Sequence, residues 1–157
     1  MRQFTSFCLS FAAIAGFAVG AARADIFVAN YGSNTIGDYT NAGTLLNASL
    51  VSGLDGANGL AVSGSDLFVA NDNAGTIGEY NINGGVVNSS LISGLSFPQD
   101  VAIAGSDLYV ANWGTSTLGE YATSGGTIGT SISTGLANPT GIAVVGSDLW
   151  FIRLKRS

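Results

Sequence analysis

The chain has 157 residues, 10 acidic against 5 basic, no histidine, and only 10% charged side chains. With a net charge of −5 and no Lys or Arg between Asp25 and Ile152, it lacks the basic patches that nucleic acid and anionic membrane surfaces require. Ordinary globular chains are about 25% charged, so this surface must be built largely from Ser, Thr, Asn and Gly.

The first 24 residues read as a secretory signal peptide. Arg2 supplies a positive start, Phe7 to Val19 an apolar stretch, and Ala22-Arg23-Ala24 a small-residue cleavage site. That apolar stretch is short for a spanning helix, which needs about 20 residues. The expectation is export to the periplasm or the extracellular space, with cleavage after Ala24 and no membrane attachment afterwards. The single cysteine, Cys8, lies inside this segment. The mature chain would therefore hold no Cys, His or Met. Disulfides, thiolate nucleophiles, imidazole bases and the commonest zinc ligands are all excluded, and no metal or cofactor is expected.

From Asp25 the chain repeats. DIFVANYGSNTIGDY begins at Asp25, DLFVANDNAGTIGEY at Asp66 and DLYVANWGTSTLGEY at Asp107, while Asp148 opens a fourth copy that fails after DLW. The starts are 41 residues apart with no insertion. The units are 25–65, 66–106 and 107–147, with a partial unit at 148–157. A fixed period of this size marks a stacked or radial repeat architecture.

In the second unit the strand candidates are Leu67–Asn71, Thr76–Tyr80, Val86–Ile92 and Val101–Ala104, each bounded by Gly, Asn, Asp, Ser or Pro. No stretch carries apolar residues at helical spacing for two turns, and glycine at this density opposes helix. Four strands in about 40 residues is the pattern of a β-propeller blade. The fold class is thus all-β, with four-stranded blades, about three of them, in an incomplete ring. Leu67–Ala70 and Leu108–Ala111 are apolar without alternation, as expected of strands covered on both faces. Gly37, Gly78 and Gly119 sit inside the second strand and signal a close approach or a bulge. Tyr39, Tyr80 and Tyr121 close that strand and can cover a neighbouring blade. Gly64-Ser65-Asp66 and its copies at 105–107 and 146–148 suit tight hairpins, which makes the Asp a turn residue.

The elements P-x-G-I-A-V (Pro139–Val144), G-S-D-L-[FY]-V-A-N and T-[IL]-G-[DE]-Y resemble the NHL-type propeller repeat. They are also similar to the propeller of the virginiamycin B lyase-like proteins. The resemblance runs through the mature chain to about Trp150. It implies a propeller; function does not follow from fold, because propellers host many activities. Two departures stand out. The lyase depends on histidine, and this chain has none. Asn30, Asn71 and Asn112 stand where NHL units often carry Asp.

In such a fold the 2–3 and 4–1 loops gather on one face around the channel. Counting the strand after each Pro-containing loop as the innermost, and so as the first strand of its blade, these loops are 31–34, 72–75 and 113–116, and 53–58, 94–99 and 135–140. They differ between units while the strands repeat, and variable loops on a rigid scaffold are where binding resides. The candidate ligand-binding residues are Asn71, Asp72, Asn73, Gln99, Asp100, Asn112, Trp113 and Asn138. Asp100 is the sharpest departure, since Gly59 and Gly141 hold its position elsewhere. It reads either as a ligand for a cation or a sugar hydroxyl at the channel mouth, or as a solvated loop carboxylate. Trp113 reads as a stacking platform or as an ordinary apolar loop contact. Asp38, Glu79 and Glu120 recur once per unit, which favours a structural role. No D-x-[DN]-x-[DN]-G calcium loop is present. Asn47-Ala48-Ser49 and Asn88-Ser89-Ser90 match the glycosylation sequon at equivalent positions, as a strand-edge Asn shared by ancestry also would.

Two functions from different classes fit. One is a secreted non-enzymatic scaffold that binds a glycan or protein on its loop face. The other is a remnant of a propeller lyase or lactonase. The absence of His favours the first. The repeat breaks off at Phe151 and a basic tail follows, so the expectation is a truncated longer propeller whose open blade faces self-associate.

Overall fold

The computed structural model describes residues 25–129, 132, 136–146 and 148–153. Residues 1–24, 130–131, 133–135, 147 and 154–157 lie outside the described residues, and with them the signal-peptide expectation and most of the basic tail. Among those described there are twelve strands and no helix.

The strands form four antiparallel sheets. The first holds β1 (Asp25–Asn30), β2 (Thr35–Thr40) and β3 (Leu45–Val51). The second holds β4 (Ala57–Ser63), β5 (Asp66–Asn71), β6 (Thr76–Asn81) and β7 (Val86–Ile92), in that order. The third holds β8 (Pro98–Ala104), β9 (Asp107–Asn112) and β10 (Thr117–Ala122). Bridges from Leu118 to Ile132 and from Tyr121 to Thr127 continue it where β7 runs in the second sheet. The fourth holds β11 (Pro139–Val145) and β12 (Asp148–Arg153). These are up-and-down meanders, and β8 contacts both β4 and β11 across the sheet boundaries.

The sheet boundaries are offset from the repeat boundaries. The repeat begins at Asp25, Asp66 and Asp107, yet the four-stranded sheet begins at Ala57. The hairpin at Gly64-Ser65 therefore lies inside a sheet, joining β4 to β5, with Gly64 at φ 60. This is the conformation that glycine adopts without the Cβ clash of an L residue.

Several strand limits differ from expectation. β5 starts at Asp66, which reads as a turn residue in the sequence, and β6 runs on to Asn81. β8 and β11 start at Pro98 and Pro139 rather than after the proline-containing loop. A proline tolerates the first position of a strand because it has no N–H to offer the ladder. The register shifts directly after it, between Pro98 and Asp100 and between Pro139 and Gly141. Gln99 and Asp100 are therefore strand residues and not loop residues.

Packing between sheets explains the apolar runs. Leu67 and Val69 of β5 pack with Ile36 and Val51 of the first sheet. Phe68 and Ala70, on the opposite face of β5, pack with Val101, Leu108 and Val110 of the third. All four β5 residues are at most 2% exposed, so this strand is covered on both sides. Ile26 and Val28 of β1 occupy the same repeat positions as Leu67 and Val69 but are 44% and 37% exposed, because no sheet among the described residues covers that face of β1.

The glycine–tyrosine pair of each unit has a specific packing role. A Cβ on Gly78 would lie 2.7 Å from Tyr80 Oη and 2.8 Å from its Cε2. Gly119 stands likewise against Tyr121, and Gly37 against Tyr39. Residues two apart share one face of a strand, so each ring lies back over the glycine of its own strand. Tyr80 also joins the core against the first sheet. The ring thus covers its own backbone as well as its neighbour. Asn47 and Asn88 are exposed on β3 and β7, and their side-chain oxygens accept hydrogen bonds from the Ser49 and Ser90 amides.

Candidate functional site

The loop ends of β5–β6 and β9–β10, together with the entries to β8 and β11, collect the candidate residues. Repeat-equivalent positions carry very different side chains there. Tyr31, Asp72 and Trp113 are one such set, and Gly56, Phe97 and Asn138 another. Backbone bonds tie the two sets together: Asp72 N–H donates to Gly56 O (2.9 Å), and Trp113 N–H donates to Phe97 O (3.1 Å). Asn138 Nδ2 adds a bond to Trp113 O (3.2 Å). The scaffold holds variable side chains in one fixed frame.

Asn71 and Asn112 end β5 and β9 and are only 3% and 4% exposed. They lie within the sheets. Asn71 Nδ2 donates to Thr76 Oγ1 (3.3 Å). Burial raises the Tyr80 and Tyr121 hydroxyl pKa values, and hydrogen bonds from Asn71 and Asn112 oppose that rise. The recurring Asn, Thr and Tyr form a polar seam inside each blade. Asn73 is exposed, donates to Asp55 Oδ1 (3.2 Å) and accepts from the Tyr31 hydroxyl (3.4 Å).

Gln99 sits between two partners. Its Oε1 accepts a hydrogen bond from Asn58 Nδ2 (2.9 Å). It also donates to Asp72, which partly offsets the rise that burial imposes on that carboxyl. Asp72 is 9% exposed, and its Oδ1 has no hydrogen-bond partner. Asn58, Gln99 and Asp72 form a polar line across the second and third sheets. Nothing in the sequence marked Asn58; only the 41-residue offset from Gln99 could have pointed to it.

Asp100 joins two sheets. One carboxylate oxygen accepts from its own neighbour, Val101 N–H (2.9 Å), and the other accepts from Ile142 N–H of β11 (2.9 Å). Gly59 of β4 packs on its other side, where a Cβ would collide with the Asp100 carboxylate and backbone. Burial raises the Asp100 pKa, while the Ile142 and Val101 amides lower it in part. Asp100 also borders a cavity of about 320 Å³ shared with Gly141, Ile142, Ala143, Trp150 and Phe151. That cavity lies on the two-stranded β11–β12 sheet, where Trp150 is 62% exposed.

The acidic residue shared by all units lies mid-strand. Glu120 accepts from the Tyr109 hydroxyl (3.2 Å), its cross-strand partner. Burial and the nearby Asp66 raise the Glu79 pKa. Among the described residues no group of three His, Cys, Asp or Glu could hold a metal ion, and no helix is long and apolar enough to cross a membrane.

These carboxyls set a pH dependence. Asp72 and Asp100 are both raised above the ordinary aspartate value of 3.8. The folded state therefore holds protons that the unfolded chain releases. Stability is greatest below that value and falls as pH rises through the raised folded values. The melting temperature should thus drop as pH rises from about 4 through the raised folded values, and Asp72→Asn should flatten the slope. A melting temperature that rises over this interval, or a slope unchanged in the variant, would contradict the assignment.

Structural comparison gives the fold. The chain resembles a catalytically inactive virginiamycin B lyase from Staphylococcus aureus with quinupristin, at a TM-score of 0.68 and 21% identity over 84% of this chain and 46% of that one. It resembles a streptogramin B lyase similarly, with a TM-score of 0.68, 22% identity, and 86% and 46% coverage. A computationally designed protein, Ika8, aligns with a TM-score of 0.60, 16% identity, and 81% and 39% coverage. The chain spans less than half the length of each. No family model and no curated protein matches it. The protein is an all-β, propeller-type repeat structure.

Proposed function

We propose that this chain is a secreted, non-enzymatic propeller repeat protein that binds a glycan or protein ligand on its loop face. The observation that carries this reading is the contrast between strands and loop ends. Strand positions repeat, whereas one repeat position on this face holds Tyr31, Asp72 and Trp113 and another holds Gly56, Phe97 and Asn138. Binding specificity is built in this way, by varying side chains on a fixed frame. The Asp100 carboxylate also supports it, since both of its oxygens are engaged by backbone amides. Export with cleavage after Ala24 belongs to the same proposal, as does self-association through open blade faces such as that of Ile26 and Val28.

The likeness to virginiamycin B lyase favours a second reading, a remnant of a lyase- or lactonase-type enzyme. The test is incubation of the purified chain with quinupristin, followed by mass spectrometry. The scaffold reading expects no consumption. Turnover that Asp100→Asn abolishes while the protein stays folded would sink it.

A further inference from the structure

The junction between the second and third sheets holds a cavity of about 260 Å³, lined among others by Ser96, Asn112, Thr115, Thr117 and Tyr121. Every one of these offers a hydroxyl or an amide, and no charged side chain lines it. Asn112 is 4% exposed, and its Oδ1 accepts no hydrogen bond. Asn71 Oδ1 is in the same condition one unit earlier; what differs is the set of neighbouring side chains. There, Asn73 Nδ2 bonds Asp55 Oδ1 across the equivalent gap (3.2 Å), and Leu54 is buried to 7% exposure. In the third sheet the corresponding residues are Gly114 and Ser96, and the Ser96 hydroxyl packs directly against Gly114.

An aromatic pair stands beside this cavity. Phe97 and Trp113 meet edge to face at 6.1 Å, and they are 49% and 36% exposed. They flank the lining directly, Phe97 following Ser96 and Trp113 following Asn112. Gly114 N–H donates to Ser96 O (3.0 Å), which fixes the two segments side by side. Phe97 has φ 49, a region that bulky residues avoid. The equivalent residues, Gly56 and Asn138, are of the kinds that tolerate it. Strain held by one unit alone points to a use for that side chain.

We propose that this junction is a binding site for a neutral carbohydrate, with a sugar ring against Trp113 and Phe97 and its hydroxyls directed to Ser96, Asn112 and Thr115. This rests on the scaffold reading above and names the ligand class of its loop face. The chemistry selects it. An apolar peptide side chain entering the cavity would leave Asn112 Oδ1 buried and unpaired, whereas a sugar hydroxyl donates to it. An anionic sugar would find no basic partner between Asp25 and Ile152. The volume lies just below the range of drug-sized pockets, which begins at about 300 Å³, and suits a single ring at the end of a chain.

The test is calorimetric titration of the purified chain with cellohexaose, maltohexaose and chitohexaose, and with oligogalacturonate as the charged comparison. At least one neutral hexasaccharide should bind, and oligogalacturonate should not. Trp113→Ala should weaken binding roughly tenfold or more, Ser96→Ala and Thr115→Ala should each weaken it measurably, and Trp150→Ala on β12 should not. Refusal of all three neutral sugars overturns the inference, as does full affinity in Trp113→Ala. A chain that refuses the sugars yet binds a protein through Trp113 would overturn the ligand class and leave the scaffold reading intact, whereas quinupristin turnover would strike that reading itself.

Discussion

Gly78→Ala should destabilise the protein by about 1–3 kcal/mol, the usual cost of forcing an extra carbon into a packed interior. For a chain of this size the melting temperature should fall by roughly 3–10 °C. On propensity alone the opposite is expected, since Ala in a strand interior is better than Gly by about 0.5–1 kcal/mol. The reversal comes from Tyr80, whose ring lies over the glycine and whose hydroxyl would be 2.7 Å from the new carbon. Tyr80 is 4% exposed and packed against the first sheet, so the ring has little room to retreat. A double-mutant cycle isolates the effect. In a Tyr80→Leu background, Gly78→Ala should become neutral or stabilising. Gly32→Ala is the control, since nothing lies within 4 Å of its Cβ. Thermal denaturation of the four variants decides the matter. Equal costs in both backgrounds would show that the tyrosine is not what requires the glycine.

Asp100→Ala should loosen the joint between the third and fourth sheets. It removes the acceptor of the Ile142 N–H, and with it a charge-assisted bond between β8 and β11. Hydrogen bonds to charged groups contribute about 1.5–3 kcal/mol, and a buried amide left unpaired costs a similar amount. Burial of the carboxyl reduces the net value, because the desolvated charge is itself unfavourable. The effect should be local. Hydrogen exchange at the Ile142 amide and through β11 and β12 should accelerate by about tenfold or more, while β5 and β6 amides stay protected. Asp100→Asn keeps one acceptor oxygen and should fall between the two. Uniform acceleration across all sheets would point to global destabilisation and reject the joint; unchanged exchange at Ile142 would reject the bond.

The same Asp100 shows what position in the sequence conveys and what it does not. As the single acidic residue where Gly59 and Gly141 stand, it was conspicuous. Its departure from the repeat invited a ligand role at a channel mouth. The structure places it within β8, reaching across to the next sheet. A carboxylate is a hydrogen-bond acceptor before it is a ligand, and which donor it meets depends on a strand 42 residues away. Asn71 teaches the same lesson. It ends a strand beside a variable loop, yet it is buried next to Thr76 and Tyr80.

Much of the architecture was legible because a repeat makes each unit a check on the others. The 41-residue period, the double-faced apolar run of Leu67–Ala70 and the Gly-Ser hairpins all follow from local chemistry: strand propensity, alternation and turn geometry. These depend on residues close in sequence. The tertiary structure alone decided what depends on neighbouring units. It put Gln99 and Asp100 inside β8 rather than in the loop before it. It laid Tyr80 over Gly78, and it left Ile26 exposed where Leu67 is buried. It also opened a cavity beside Asn112. Sequence specifies each strand, but burial and cavity are properties of the space between strands, and that space exists only after the sheets have packed.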